Sequence, residues 1–452
     1  MQSFYEATVD RWSGHSSGHS SNYAPLTGRR SVNVCIMGGG LAGLSTALGL
    51  AERGVADIAV LEAEQVGFGA SGRNGGFVFG GYSLDCADLL KTLGPVRARE
   101  LYTLTTDAVD LMRKRIQRYR IDCDVTDAGV ILANWFDEPA RLDKQRRLMR
   151  DSFGVEWEPV AAAELASQLK TSRYHGGLFE RNAFHFHPLK YVLGVAGAAA
   201  NAGVQIHEKS PVVRLERSGA RRGGARPNDA QHEGAGFVVH TPHGALEARH
   251  VVMAGGGYAR SVYAPVERAV LPIATYVMAT EPLGARLKEA MDTRAAVYDT
   301  RFAFDYYRPL PDTRILWGGR ISVRDRAPDI IARLLRRDLL KVYPQLHDVS
   351  IEYAWGGLMS YARHKMPQIG RSTDGVWYAT GFGGHGMAPT TVSGELLAAA
   401  ISGERPVPDT FATFGLTPAY GALGLAAAQL TYTAMQTRDA LAARRPSPRP
   451  TP

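Results

Sequence analysis

The sequence predicts an α/β chain in two interleaved parts, a parallel sheet built on a βαβ unit and a mainly antiparallel sheet of α+β character. Three observations lead there. Residues 32–62 read strand, glycine turn, helix, strand and acid in that order. A second apolar strand runs into glycines at 250–256. From 270 to 318, short strands with interspersed aromatic residues follow one another, the pattern of an antiparallel sheet with one face lining a pocket.

Val32 to Met37 has the length and branching of a buried strand. Gly38, Gly40 and Gly43 follow in G-x-G-x-x-G spacing. Leu41 and Ala42 open a helix that runs to Arg53 and stops at Gly54, a C-cap residue. Ile58 to Leu61 is a second buried strand, closed by Glu62 and Ala63. This is the order of a Rossmann-like dinucleotide unit. Gly38 permits the turn, Gly40 lets backbone approach a pyrophosphate, and Gly43 allows helix and strand to pack closely. The helix N-terminus offers N–H donors and a positive dipole end to the phosphates. Glu62, about 20 residues past the glycines, suits a ribose hydroxyl and disfavours a 2′-phosphorylated cofactor. NAD and FAD both remain open on this stretch.

Composition narrows the partners. A chain of 452 residues holds roughly two or three domains' worth of core. Its net charge of +8 invites a nucleic-acid reading, but the arginines are scattered. One cluster (Arg217, Arg221, Arg222, Arg226) falls in a Gly/Pro-containing insertion, and no basic stripe carries interleaved aromatics, so no nucleic-acid binding is expected. A basic balance also attracts anionic substrates. No run approaches about 18 apolar residues, so no stable membrane insertion is expected. The first residues lack a basic start followed by an apolar core, so no secretory signal is read and a cytoplasmic location is expected. Cys35, Cys86 and Cys123 are too few for a disulfide framework and lack metal-ligand spacing. His15 and His19 read as solvated arm residues, and His185 and His187 as structural or flavin-adjacent; no metal site is expected.

Gln65 to Gly76, QVGFGASGRNGG, is too glycine-dense for a regular element. Such a loop can wrap a phosphate or a flat polar ring with backbone N–H groups. GFGASGRNGG, following GGGLAGL and VLEA, resembles the FAD-dependent amine and amino-acid oxidase superfamily typified by D-amino-acid, glycine and sarcosine oxidases. Within it, the chain resembles the γ-glutamylputrescine oxidases of bacterial putrescine degradation. The likeness continues through RIQRYRIDCDVTDAGVILA (115–133), HFHPLKY (185–191), FDYYRPLPDTRILWGG (304–319), WGGLMSYARHKMPQIGR (355–371) and YATGFGGHGMAP (378–389). It covers about residues 30 to 405.

That resemblance implies the cofactor and its holders. Gly69, Ala70, Ser71, Arg73, Asn74, Gly75 and Gly76 join Gly38, Gly40, Leu41, Ala42, Gly43, Glu62 and Ala63 around FAD. Val212 and Val213, in a strand over 210–213, hold the adenine through backbone. Ala254, Gly255 and Gly256 make a second close approach, one an NAD enzyme has no need of. Gly381, Gly383, Gly384, His385, Gly386 and Met387 lead into a helix over 389–401 and aim N–H groups at the flavin's pyrimidine edge. Some relatives tether flavin through a cysteine near 355–367; this chain has none beyond Cys123, so noncovalent FAD is expected.

The remaining segments read as helices over 96–121, 138–152, 191–202, 329–341 and 419–442, the last packed on the body. Strands are read at 130–135, 204–206, 237–240, 270–278, 296–300, 302–307 and 314–318. Residues 218–235 read as a disordered hairpin insertion. Tyr306 and Arg308, on one strand face, are the expected substrate contacts, the arginine suiting a carboxylate. His364 and His385 are the candidates for tuning protonation, and no general base is obligatory if the amine binds neutral.

The expected organisation is an arm over 1–30 and an FAD-binding domain from 31–110, 190–260 and 350–405. A substrate domain comes from 111–189 and 261–349, and a C-terminal helix and disordered tip occupy 406–452. The reaction implied is hydride transfer from an amine's α-carbon to flavin, imine hydrolysis, and reoxidation by O2 to peroxide. The oxygen-activating lysine of sarcosine oxidase has no counterpart near ILWGGR, where the cations are Arg314 and Arg320. The rivals are an amino-acid dehydrogenase feeding quinone or another carrier, a flavin-binding protein without turnover, and an NAD-binding module. The sequence leaves the exact amine and the oligomeric state open.

Overall fold

The computed structural model describes residues 2–9, 23–218, 236–258 and 262–443. His15, His19, the tip from 444 and all but the first residue of the 218–235 insertion lie outside them.

Val34, Cys35 and Ile36 are fully buried on both faces, which places Gly28–Met37 in the middle of a sheet. Trp377–Thr380, Gly244–Met253, Gly28–Met37, Ile58–Leu61 and Gln205–His207 run parallel in that order. Gln368–Arg371 adds antiparallel at one edge, Phe237–His240 pairs antiparallel with Gly244–Met253, and Arg214–Arg217 pairs antiparallel with Phe237–His240. The carboxyl ends of the parallel strands therefore open onto one rim, where Gly38, Glu62, Ala254 and Gly381 stand.

A second sheet has the order Ile351–Tyr361, Leu271–Thr280, Ile315–Ser322, Tyr306–Pro309, Ala296–Asp299, Val130–Ala133, Gly177–Glu180, Glu158–Val160. Its pairings are antiparallel except Ala296–Asp299 with Val130–Ala133. The architecture is thus a Rossmann-like part assembled from separated segments beside a mainly antiparallel sheet.

Two small-residue helices back the first sheet. Helix Leu41–Glu52 meets helix Met387–Ile401 where a Cβ on Gly394 would come 2.4 Å from Ser45 Cβ, and one on Gly49 would come 3.0 Å from Ala398 Cβ. Both contacts advance by four residues in the same sense, so the helices run parallel. Their N-termini face the same rim of the sheet, and two positive dipole ends converge there.

Several expectations shift. Within the expected arm, Phe4–Thr8 is a helix, started by a capping box between Ser3 and Glu6, with Tyr5 0% exposed. Its Phe4–Tyr5 pair fills an aromatic cluster with Trp355, His187 and Tyr353. The strand expected at 302–307 starts only at Tyr306, because Arg301 bridges Asp299 and Asp305 at 2.5 and 2.6 Å and closes a turn between them. Ile351–Tyr361 pairs along Leu271–Thr280 in the second sheet, although it falls in a segment expected beside the nucleotide. The C-terminal helix Gly421–Ala442 packs on the body through buried Tyr432 against Phe302, and Asp439 accepts from the Phe302 N–H. Among the described residues no helix is long and apolar enough to cross a membrane.

Candidate active site

The glycine turn has the geometry a dinucleotide needs. Gly38 sits at φ 121°, and a Cβ there would meet the Ala254 carbonyl oxygen at 2.6 Å. A Cβ on Gly43 would lie 2.1 Å from the Gly38 carbonyl oxygen, so helix and strand meet backbone to backbone. Ala254 donates its N–H to Met37 O, which brings the second glycine run (Gly255, Gly256) against the first. Glu62 accepts from the N–H groups of Gly39 (2.7 Å) and Glu64 (2.8 Å). Burial nonetheless pushes its carboxyl above the ordinary carboxylate range, opposed by the two backbone donors and aided by the neighbouring acids Glu208 and Glu64. Exposed Ala63 follows it.

The loop after Glu62 is ordered by its own side chains. The Asn74 amide donates to Ala70 O and Ser71 O, and its oxygen accepts from Gly76 N. Ser71 Oγ accepts from Leu41 N at 2.9 Å, at the first turn of the nucleotide helix. Arg73 ties Gly69's neighbour Phe68 through its carbonyl, pairs with Glu6 at 3.1 Å, and is held through its own carbonyl by the Trp355 indole. The loop therefore lies between the two sheets, fastened to both and to the N-terminal helix.

Val212 and Val213 lie in an extended link rather than a strand; the strand begins at Arg214. Val213 donates its N–H to His240 O and exposes its side chain, so that donor is committed within the sheet. Ser210 N–H donates to Glu62 O, which sets this link alongside Glu62.

At the other end, Gly381 and Gly383 adopt positive φ, and Gly383 N–H donates to Ser360 O. Ser83 Oγ donates to Phe382 O and accepts from His385 N, both at 3.1 Å. These bonds hold Gly384, His385 and Gly386 at the start of helix Met387–Ile401. The His385 imidazole packs edge-on to Phe79 at 4.3 Å; burial pushes it down to about 4, with the carbonyls of Phe79 and Gly80 opposing the shift in part. Ser83 and Phe79 escaped the sequence reading. The signal for them was FVFGGYS, directly after the glycine loop.

Tyr306 and Arg308 both reach the glycine loop. The Tyr306 ring lies over Gly75 and Gly318, where a Cβ would come within 2.5 and 2.0 Å of it. Arg308 is 2% exposed, and its guanidinium donates to Gly75 O (2.7 Å) and Phe186 O (2.8 Å), with Tyr5 Oη at 3.5 Å and His185 Nδ1 at 3.4 Å. Main-chain carbonyls thus take Nε and Nη2, while Nη1 faces the His185 ring. His364 is removed from the cluster: it accepts from Met366 N, approaches Gly415 O at 3.4 Å and packs on Phe414. Burial is the main cause lowering it.

Aromatic rings make the remaining wall. Phe79 stacks on Tyr298 (5.4 Å); Tyr298 meets Phe304 (5.8 Å), Phe304 meets Tyr306 (6.3 Å) and Tyr306 meets Phe77 (5.5 Å). This chain of rings runs from His385 to the glycine loop, between the two sheets. The residues fit a flavin dinucleotide: glycines that leave no room for Cβ atoms, an acid at the second strand's end, and two helix N-termini at one rim. Among the described residues no group of three His, Cys, Asp or Glu side chains is placed to hold a metal.

Comparison with known proteins agrees with this geometry. The family model described as FAD dependent oxidoreductase (DAO) matches residues 33–400. Gamma-glutamylputrescine oxidoreductase of Escherichia coli is 33% identical over 432 residues, covering 94% of this chain and 97% of that protein. A probable oxidoreductase, OrdL, of Haemophilus influenzae is 32% identical, covering 92% and 94%. Among solved structures, glycine oxidase from Geobacillus kaustophilus superposes with a TM-score of 0.68 at 20% identity, covering 86% of this chain and 98% of that one. L-amino acid deaminase from Proteus vulgaris does so with 0.69 at 18%, covering 88% and 98%; these two likenesses show the fold.

Proposed function

The chain belongs to the DAO family of FAD-dependent oxidoreductases, an amine or amino-acid oxidoreductase, and on that premise we propose that its substrate is a γ-glutamylputrescine-like amine. When bound, FAD would supply the hydride acceptor, with O2 as the proposed final oxidant. The amine carbon that gives up hydride becomes an imine, which water hydrolyses to an aldehyde and ammonia. The protein's part is to hold, orient and desolvate. FAD is held noncovalently in this reading: Cys35, Cys86 and Cys123 are free thiols on elements other than the 355–367 segment.

One observation favours an amine over an α-amino acid. A carboxylate next to the reacting carbon calls for a cation, and Arg308 turns Nε and Nη2 to main-chain carbonyls and Nη1 toward the His185 ring. The aromatic wall offers apolar area to an alkyl chain instead. Steady-state turnover of γ-glutamylputrescine beside glycine, sarcosine and D-amino acids, with aldehyde and ammonia assayed, tests this. Turnover of α-amino acids alone contradicts it.

A dehydrogenase feeding quinone or another carrier is the second reading. Arg314 is engaged by Asp312 and Glu352, and Arg320 by Asp338, so the cations flanking this strand are neutralised in ion pairs. Peroxide formed in step with aldehyde supports the oxidase; aldehyde that needs an added electron carrier supports the dehydrogenase.

A further inference from the structure

Behind Gly80 and Gly81 the fold buries polar atoms that it does not satisfy. Glu180 ends the strand Gly177–Glu180 and is 7% exposed. Its Oε2, the hydroxyl of Tyr102 and Nε2 of His385 are all buried without a hydrogen-bond partner among the described residues. The three meet at one short segment. A Cβ on Gly80 would stand 3.1 Å from Tyr102 Oη, one on Gly81 would stand 3.9 Å from His385 Nε2, and the Gly80 backbone bonds the Glu180 carboxylate. Tyr102 from the long helix, Tyr298 from the second sheet and Cys86 from the preceding helix are the titratable groups that feel its charge. Among the described residues Glu180 makes no ion pair.

A buried carboxyl without a counter-ion is costly, and such a group calls for an explanation, of which a catalytic or ligand-pairing role is one. The surroundings define such a partner. Tyr298 and Phe79 stack beside the cluster and His385 is neutral at physiological pH, so the site is an acidic, aromatic-walled corner that favours a cation. Burial pushes Glu180 up to about 7, whereas His385 is pushed down to about 4; of the two, Glu180 is the one that exchanges a proton near neutrality.

We propose that this corner is the amine subsite: Glu180 pairs with the substrate's ammonium and takes one proton from it, and Tyr102 and His385 supply further hydrogen-bond partners. The inference rests on the amine-oxidising reading above. In the step, one N–H bond of the ammonium breaks with its electron pair left on nitrogen, and an O–H bond forms on the Glu180 carboxylate. Nothing is oxidised; the lone pair set free is what the adjacent carbon needs before hydride can leave it.

The test is anaerobic rapid-mixing reduction of the FAD-loaded enzyme by γ-glutamylputrescine through a pH series spanning neutrality, for wild type, Glu180→Gln and Glu180→Asp. The wild-type second-order rate rises through a limb near pH 7. Glu180→Gln loses the limb and falls on the order of 100-fold, and Glu180→Asp recovers part of both. A carboxylic-acid stretching band in the infrared difference spectrum on amine binding is present in wild type and absent in Glu180→Gln. A Gln variant that keeps the limb, with or without a uniform drop in rate, overturns the proposal. So does a wild-type profile flat through neutrality, which needs no variant to fold. Failure of every amine to reduce the wild-type flavin overturns the functional reading itself and the subsite with it, an outcome distinct from brisk reduction indifferent to Glu180.

Discussion

Glu180 leaves a mark on stability as well as on rate. Its folded-state carboxyl titrates at about 7, above the ordinary value near 4.3, so the folded protein binds its proton more tightly than the unfolded chain does. Stability from this group is complete below about pH 4 and falls as pH rises to about 7. A shift of that size is worth about 3 kcal/mol, so Glu180→Gln without amine is expected to be more stable than wild type above pH ~8 and equal to it below pH ~4. Thermal melts of the two proteins at both ends of the range check this. Equal melting throughout would mean that the carboxyl has a partner. The residue and its strand escaped the sequence reading, and nothing in its neighbourhood in sequence announces Tyr102, Gly80 or His385. Arg308 shows the same limit from the other side. Its place on one strand face with Tyr306 followed from alternation, but its partners at 5, 75, 185 and 186 are brought in by three other elements, and no local pattern reports them.

The elements that build the cradle are held by close approach as much as by hydrogen bonds. Gly394 lies on helix Met387–Ile401 where any side chain would enter the Ser45 backbone of the nucleotide helix. Gly394→Val is expected to force the two helices apart, at a cost of about 1–3 kcal/mol, and to release FAD because both helix N-termini shift at once. Flavin fluorescence after gel filtration measures the loss; full retention contradicts the shared-rim geometry. The N-terminal helix is the other fastening. Tyr5→Ala opens a cavity beside Arg308 and is expected to cost about 3–5 kcal/mol, with a lower melting temperature and weaker FAD retention; a neutral effect would show the helix to be dispensable. The βαβ unit was readable because strand, turn, helix and acid are contiguous and each has its own period. The N-terminal helix was not, since five residues with one capping box carry too little periodicity beside a long polar stretch.

At the scale of the molecule, two sheets of different character meet over one cleft, and that meeting was foreseeable only through family likeness: composition and periodicity supply the sheets, while their juxtaposition depends on long-range pairing between segments such as 271–280 and 351–361. With its three cysteines on other elements, acid precipitation is expected to leave the flavin in the supernatant; colour remaining with the pellet would reveal a covalent link to another side chain. The measurement that bears most directly on the whole account is the visible spectrum of the purified protein before and after anaerobic addition of γ-glutamylputrescine. The account predicts flavin bands in the blue that bleach with this amine and return on admitting an electron acceptor. A yellow protein that no amine bleaches would retain the fold and contradict the function, and a colourless protein that cannot be reloaded with FAD would contradict both.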